Sequence, residues 1–304
     1  DQGDYNYLHD MGPRQWEGTI QCGLEQGKKF GIMGSTDQHA GYPGSYGDGR
    51  IGILAESLTR DKIWDAMKNR HVCCATGDKI NIDFRLNDAF PGDVVRGNSR
   101  RIYLNVEGGS CIDYIDIVKN RRCIARLSGP LLPEMPEGNM VRCKVKIEFG
   151  WNREEQYVHW QGKLSISKGT INAVEPCFRG AAFTSPQPGE PEFETKINRI
   201  VSVTDKDTEL DMYSSKNPNT TTPAMQAVIL DVTMPKDGMI TAEFNGKKFE
   251  HSLGELLEGS RSHFMIGWLS EAILFNRAMP ESCFMVEHYM EDTEPERDTD
   301  YYYV

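Results

Sequence analysis

An aspartate and a histidine, Asp37 and His39, stand two residues apart in a glycine-rich stretch of the chain. The carboxylate offers a hard oxygen ligand and the imidazole a nitrogen ligand, a combination that zinc, manganese and iron all accept. Neighbouring glycines allow the backbone turns that bring both side chains to one metal. The pair could therefore form one corner of a divalent-metal site, although two ligands alone do not complete one. A loop aspartate that caps the next segment beside a surface histidine is the alternative.

Three predicted elements would position this pair. Residues 30–34 form a short apolar run bounded by glycines, which indicates a buried strand of the parallel kind. Helices are predicted on either side, over residues 13–26 with a proline at the start, and over residues 59–70 behind a threonine cap. Because Asp37 and His39 follow the strand directly, they would lie at its carboxyl end, where barrels of alternating strands and helices build their sites.

Residues 31–44 resemble the final metal motif of the PHP (polymerase and histidinol phosphatase) superfamily, and they read GIMGSTDQHAGYPG. The resemblance is to the large-protein branch that was long known only as a domain of unknown function. It continues through residues 52–56, which read GILAE, and residues 58–67, which read LTRDKIWDAM. It is dense over residues 16–87 and thinner in the rest of the chain.

The resemblance implies that Asp37 and His39 are ligands in a cluster of divalent metals, zinc, manganese or iron, held in a distorted TIM-like barrel. Such clusters hydrolyse phosphate esters with metal-activated water, so a small phosphorylated molecule is the expected substrate and phosphoesterase the expected activity. The earlier motifs of the family begin with a His-x-His pair, and none of the seven histidines here forms one. We therefore assign no catalytic residue. We expect a C-terminal fragment that holds metal incompletely and that the missing barrel segment or another subunit completes.

The glycine-rich loop that ends at Arg50 is the predicted substrate-binding segment. Arg50 could offer its guanidinium to an anionic group, and Tyr42 and Tyr46 in the same loop are assigned to the substrate with it. Loops of this kind close over substrates in many enzymes. A surface loop without a role is the alternative, because loops are commonly exposed and rich in glycine.

From residue 78 onward the sequence changes to the period-two alternation of β-strands, with a spacing that favours a sandwich. The predicted fold class is therefore α+β and mostly β: the terminal βα segment of a PHP-type barrel in residues 1–77, followed by a β-sandwich-like region in 78–184. Residues 185–304 form a second β-rich region, which is either separate or continuous with the same sandwich. The predicted strands are 80–86, 102–106, 112–117, 141–149, 197–203, 227–232, 239–244 and 264–274.

The overall composition argues against several classes of partner. The net charge of −11 repels a phosphate backbone, so nucleic acid is not an expected partner. No run approaches the ~18 consecutive apolar residues of a membrane helix, so no membrane span is expected. Eight cysteines without a Cys-x-x-Cys pair disfavour a zinc ribbon, and they leave the compartment undecided.

A non-catalytic role is the alternative function. On that view the β-rich region is a binding or assembly module that recognises a carbohydrate or a partner subunit, and the barrel segment is structural. Trp151, Tyr157 and Trp160 could stack on sugar rings, but their large aromatic area favours a place in the sandwich core. Adjacent Cys73 and Cys74 are predicted to be buried as small hydrophobic side chains.

Overall fold

The computed structural model describes residues 16–35, 49–77, 79–130, 133–152, 157–178, 197–214, 225–268 and 270–304. Every strand pairing among these residues is antiparallel, and their longest helix has nine residues. The mostly β class predicted from the sequence is confirmed. None of the described helices is long and apolar enough to cross a membrane.

Residues 16–35 and 49–77 form what we call the N-terminal layer, with a two-stranded sheet at its centre. Gly49 on the first strand faces Thr76 on the second. Because so small a sheet covers little of its own surface, Cys73 is half-buried and Cys74 exposed, and the prediction that both are buried is wrong. The elements of the layer are a 3-10 helix at Trp16–Gly18, α1 (Ile20–Glu25), β1 (Gly49–Ile53), α2 (Arg60–Lys68) and β2 (Val72–Thr76).

Two helices were predicted in this layer, and the structure contains both of them. α2 begins directly after Thr59, as the sequence predicted, but the Thr59 side chain makes no capping hydrogen bond. α1 begins later than predicted, because the Thr19 hydroxyl accepts a hydrogen bond from the Cys22 amide at 3.1 Å and caps the helix there. Residues 13–15 of the predicted helix lie outside the described residues.

Residues 30–34 form no strand, so the prediction of a buried strand there is wrong. Met33 is 55% exposed, whereas a parallel strand is covered on both faces. The run packs along the pair of β1 and β2 instead: a Cβ on Gly34 would stand 2.8 Å from the carbonyl oxygen of Arg50. An apolar run bounded by glycines does not distinguish a strand from an extended segment that packs beside one.

Residues 79–130 contribute four strands with clear alternation. Ile102, Leu104 and Val106 point inward along one strand, and Leu104 faces Phe84 on its neighbour. These side chains form one buried cluster. The strands are β3 (Asn81–Leu86), β4 (Arg100–Glu107), β5 (Tyr114–Lys119) and β6 (Arg122–Ser128).

The described part of residues 140–284 forms a sandwich of two antiparallel sheets. Phe149, Trp160 and Phe244 are buried between them, and the Phe149 ring lies 5.5 Å from that of Trp160 and 4.7 Å from that of Phe244. The elements are β7 (Met140–Gly150), β8 (Val158–Ile166), β9 (Thr170–Pro176), β10 (Arg199–Val203), β11 (Asp207–Ser214), β12 (Gln226–Pro235), β13 (Met239–Phe244), β14 (Lys247–Ser252), α3 (Leu253–Glu258), β15 (Arg261–Phe264), β16 (Ala272–Phe275), β17 (Met279–Pro280) and α4 (Glu281–Phe284). One sheet has the order β10-β11-β8-β13-β14, and the other has the order β15-β16-β7-β12-β9, with β17 beside β7.

Two details of the sandwich differ from the sequence-based expectations. The predicted strand over residues 264–274 is wrong: β15 and β16 form a hairpin in which Phe264 faces Ala272, and the chain turns at Gly267. Trp268 in that turn is 80% exposed. Among the three aromatics considered for the core, Trp160 is fully buried, whereas Trp151 is exposed.

Two further strands, β18 (Met285–Asp292) and β19 (Tyr302–Tyr303), return to the sheets of residues 79–130. β18 pairs with β4 along its whole length and β19 pairs with β5, which gives the sheets β18-β4-β3 and β19-β5-β6. We call residues 79–130 and 285–304 the small β unit. Strands from before and after residue 185 therefore share sheets both here and in the sandwich.

Candidate functional site

The structure describes one of the five residues that the sequence assigns to a site. Asp37, His39, Tyr42 and Tyr46 lie outside the described residues, and Arg50 lies within them. The metal-ligand pair and the two tyrosines therefore remain predictions from the sequence. These four residues belong to residues 36–48, and the residues on either side of that range show where it joins the described part of the chain.

Ser35 and Gly49, which flank residues 36–48, are in contact. A Cβ on Gly49 would overlap the carbonyl group of Ser35, so only glycine fits this position without displacement. A Cβ on the neighbouring Gly34 would come within 3.3 Å of the Cys74 Cβ. The two ends of the range are thus held together at one end of the pair of β1 and β2.

Arg50 connects the N-terminal layer to the sandwich. It is the second residue of β1 and faces Ala75 on β2. Its Nη2 donates a long hydrogen bond of 3.5 Å to the carbonyl oxygen of Pro176, the last residue of the edge strand β9. The sequence did not predict this contact, and the assignment of Arg50 to a substrate remains a prediction.

A cluster of buried and half-buried charges lies between the sandwich and the small β unit. We call it the junction cluster and define it as Glu107, Arg142, Lys144, Glu175 and Asp231. Lys144 is 2% exposed, and its Nζ lies 2.9 Å from Glu175 Oε1, 3.1 Å from Glu107 Oε1 and 2.9 Å from the carbonyl oxygen of residue 108. An ammonium group has three donors, so that of Lys144 is fully satisfied.

Arg142 supplies the other cation of the junction cluster. Its Nε and Nη2 donate to Asp231 at 3.1 and 2.6 Å, and Nη2 also donates to Glu107 at 2.9 Å. The hydrogen bonds to Asp231 are the main cause of a raised pKa for Arg142. The cluster joins β4 to β7, and its cations are neutralised by carboxylates. Its role is therefore structural.

The described residues contain no candidate metal site. Across the described ranges, no group of three or more His, Cys, Asp or Glu side chains is arranged to hold a metal ion. Within those same ranges Glu175 Oε2 is buried without a hydrogen-bond partner. One such oxygen is too few for a metal site, because even catalytic zinc sites have three protein ligands.

A cleft of about 650 Å³ lies between the small β unit and the end of β2. Thr76, Ile80, Cys111, Tyr114 and Tyr303 are among the residues that line it. Pockets that hold small molecules have volumes of roughly 300–1,000 Å³, so the size suits a small ligand. Cys111 brings a thiol to this surface.

A second cleft, of about 570 Å³, lies on the outer face of the five-stranded sheet, and we call it the face cleft. Lys163 of β8 stands between Glu209 of β11 and Glu243 of β13, which are its register partners. Next to the cleft His159 stacks on Tyr213, with 4.3 Å between the ring centroids. Hydrogen-bonding groups beside a ring pair suit a polar ligand that has an apolar face.

Comparisons of this chain with protein-family models, with curated proteins and with solved structures found no match. The functional conclusion therefore depends on the residues of the chain itself.

Proposed function

We propose that this chain is the C-terminal portion of a metal-dependent hydrolase, a phosphoesterase that uses metal-activated water. The observation that carries the proposal is the stretch of residues 31–44, which resembles the final metal motif of the PHP superfamily and contains Asp37 and His39. A carboxylate and an imidazole suit zinc, manganese or iron. When bound, such a metal activates water and offsets the charge that develops on phosphoryl oxygens.

The contact between Ser35 and Gly49 supports the proposal. Asp37 is two residues beyond Ser35 in the sequence. Arg50 follows Gly49 directly and lies on the same end of the pair of β1 and β2. Arg50, which the sequence assigns to an anionic substrate, therefore stands beside the attachment of the segment that carries Asp37 and His39 in the sequence.

Uncovered apolar side chains support the view that the N-terminal layer is the end of a distorted barrel. Leu58, just before α2, is 94% exposed, and Trp64 on α2 and Met33 are more than half exposed. Exposed apolar surface of this kind marks a place where another element packs. The remaining strands and metal ligands would come from a further barrel segment or from another subunit.

Metal content measured on the purified chain tests the proposal. We expect less than one equivalent of zinc, manganese or iron after dialysis, because Asp37 and His39 are only part of a donor set. The double variant Asp37→Ala/His39→Ala should lose what remains.

A matched control removes the same residue types elsewhere. His71→Ala/Asp93→Ala deletes a pair whose Nε2 and Oδ1 lie 2.9 Å apart in the described part of the chain, and it should retain metal like the unmodified protein. Tight stoichiometric binding that survives the Asp37→Ala/His39→Ala change would contradict the proposal.

A second function, recognition of a carbohydrate by the sandwich, is favoured by the face cleft. Binding of the full chain to a panel of glycans measures it directly. We expect Tyr213→Ala and Glu243→Gln to weaken such binding, and Glu250→Gln to leave it unchanged. Glu250 is the control because it lies on β14, paired with Lys248 at 2.8 Å and away from the lining of the face cleft. No binding to any glycan would argue against this function.

A further inference from the structure

Two cysteines that are distant in sequence meet beside the cleft of about 650 Å³. The Ile112 amide donates to the carbonyl oxygen of Cys283 at 2.9 Å, and the Gly108 amide donates to that of Phe284 at 2.8 Å. These bonds hold the connection between β4 and β5 against α4. Cys111 directly precedes Ile112, so its backbone lies beside that of Cys283, and both cysteines are free thiols.

The two thiols differ in their access to solvent. Cys111 is half-buried and lines the cleft, whereas Cys283 is 1% exposed and lies behind it. Burial is the main cause of a raised pKa for Cys283, and the neighbouring Cys111 adds to it. A soluble oxidant therefore meets Cys111 first, while Cys283 stays protonated and protected.

We propose that Cys111 and Cys283 form an oxidisable dithiol, in which Cys111 reacts with a peroxide that enters the cleft and Cys283 then closes a disulfide between them.

The two steps balance with hydrogen peroxide as the oxidant. The Cys111 sulfur attacks one peroxide oxygen, the O–O bond breaks, and Cys111 becomes a sulfenic acid while the other oxygen leaves as water. The Cys283 sulfur then attacks the Cys111 sulfur, the S–O bond breaks, and the hydroxide leaves with the Cys283 proton as a second water. Two thiols are oxidised by two electrons, and one peroxide is reduced to two waters.

The local geometry favours this pairing over others. A disulfide needs Cβ atoms roughly 3.5–4.5 Å apart, a separation that cysteines on hydrogen-bonded neighbouring backbones can reach without movement of a sheet. Cys143 also lies near Cys283, but it is fully buried, and burial raises its pKa to about 12. Cys123 is exposed on β6 and hydrogen-bonds to the Ala125 carbonyl oxygen.

Peptide mapping after peroxide treatment of the full chain tests the proposal. After exposure to hydrogen peroxide and alkylation of the remaining thiols in denaturant, we expect a cross-linked peptide that contains Cys111 and Cys283. Cys111→Ser should abolish the cross-link. Cys283→Ala should leave Cys111 as a sulfenic acid that dimedone traps.

The control variant is Cys123→Ser, which removes an exposed thiol and should form the cross-link like the unmodified chain. The peptide map of the unmodified protein can overturn the proposal by itself, so the test does not depend on whether the variants fold. Oxidation of the exposed Cys74 and Cys123 without any link between Cys111 and Cys283 would do so, and so would a link from Cys283 to Cys143 instead.

Discussion

Lys144 of β7 and Glu107 of β4 form an ion pair, with 3.1 Å between Nζ and Oε1, across the boundary between the sandwich and the small β unit. Glu107 also accepts a hydrogen bond from Arg142, so one carboxylate serves two cations. Lys144 is almost inaccessible to water, and salt screens such a pair much less than a surface pair. The pair therefore helps to fix the two units in one arrangement.

Replacement of Lys144 with methionine should lower the free energy of unfolding by ~3–5 kcal/mol, because removal of the cation leaves the buried Glu175 carboxylate without a charge partner. Glu175 would also lose the hydrogen bond to its Oε1. The midpoint of urea unfolding measures the change. An unchanged midpoint would show that the junction cluster does not hold the units together.

Lys168→Met is the matched control for this experiment. Lys168 pairs with Asp237 at 2.6 Å, but both side chains are more than half exposed. Exposed pairs contribute about 0–1 kcal/mol, so this variant should unfold close to the midpoint of the unmodified protein.

The second prediction concerns acid sensitivity at the open edge of the sandwich. His251 of β14 and His263 of β15 belong to different sheets, and their Nε2 atoms lie 2.7 Å apart. Burial lowers the pKa of both rings, and the charge of His251 lowers that of His263 further. Around His251, Glu255 opposes the shift and Arg261 adds to it.

Because both pKa values are lowered in the folded protein, the unfolded chain binds these protons first as the pH falls. The contribution to stability is therefore complete above about pH 6.5, the ordinary histidine value, and is lost as the pH falls through the lower folded-state values. His263→Phe should reduce this loss, since the new ring can pack between Phe249 and Phe275. Thermal midpoints measured from about pH 5 to about pH 8 check this, and equal pH dependence in both proteins would refute it.

The third prediction concerns the contact between Ser35 and Gly49, the residues on either side of residues 36–48. Gly49→Ala should destabilise the protein by ~1–3 kcal/mol, because the added methyl would overlap the Ser35 carbonyl group. If Asp37 and His39 bind metal nearby, retained metal should fall as well. Gly18→Ala is the control, because a Cβ there would meet no atom within 4 Å. Equal unfolding midpoints for the two variants would contradict the prediction.

Much of the fold could be predicted from the sequence, but its pairings could not. The alternation over residues 141–149, 227–232 and 239–244 correctly indicated β7, β12 and β13. Alternation shows which residues share one face of a strand, but it does not show which other strand pairs with it. The hairpin of β15 and β16 was missed because Phe264, Ile266 and Trp268 have the spacing of a buried strand face, yet all three side chains are exposed.

The candidate sites also differ in whether the sequence alone could predict them. Asp37 and His39 could be proposed from the sequence because residues 31–44 around them resemble a family metal motif. The junction cluster could not, because Glu107, Lys144 and Asp231 are far apart in sequence. The chain has forty-five acidic and thirty-four basic residues, so residue type alone cannot select which of them meet. The contact between Cys111 and Cys283 could not be predicted from the sequence for the same reason.

The pairing of β4 with β18 has a consequence for the order of folding during synthesis. Every strand of the sandwich is made after β4 and before β18, so the sandwich can close while β4 still lacks one of its two neighbours. Domains generally fold as units as the chain emerges, and contacts between distant residues form slowly. The small β unit should therefore be the last part to become protected. Until β18 arrives, the open edge of β4 is exposed to chaperones, proteases and wrong strand partners.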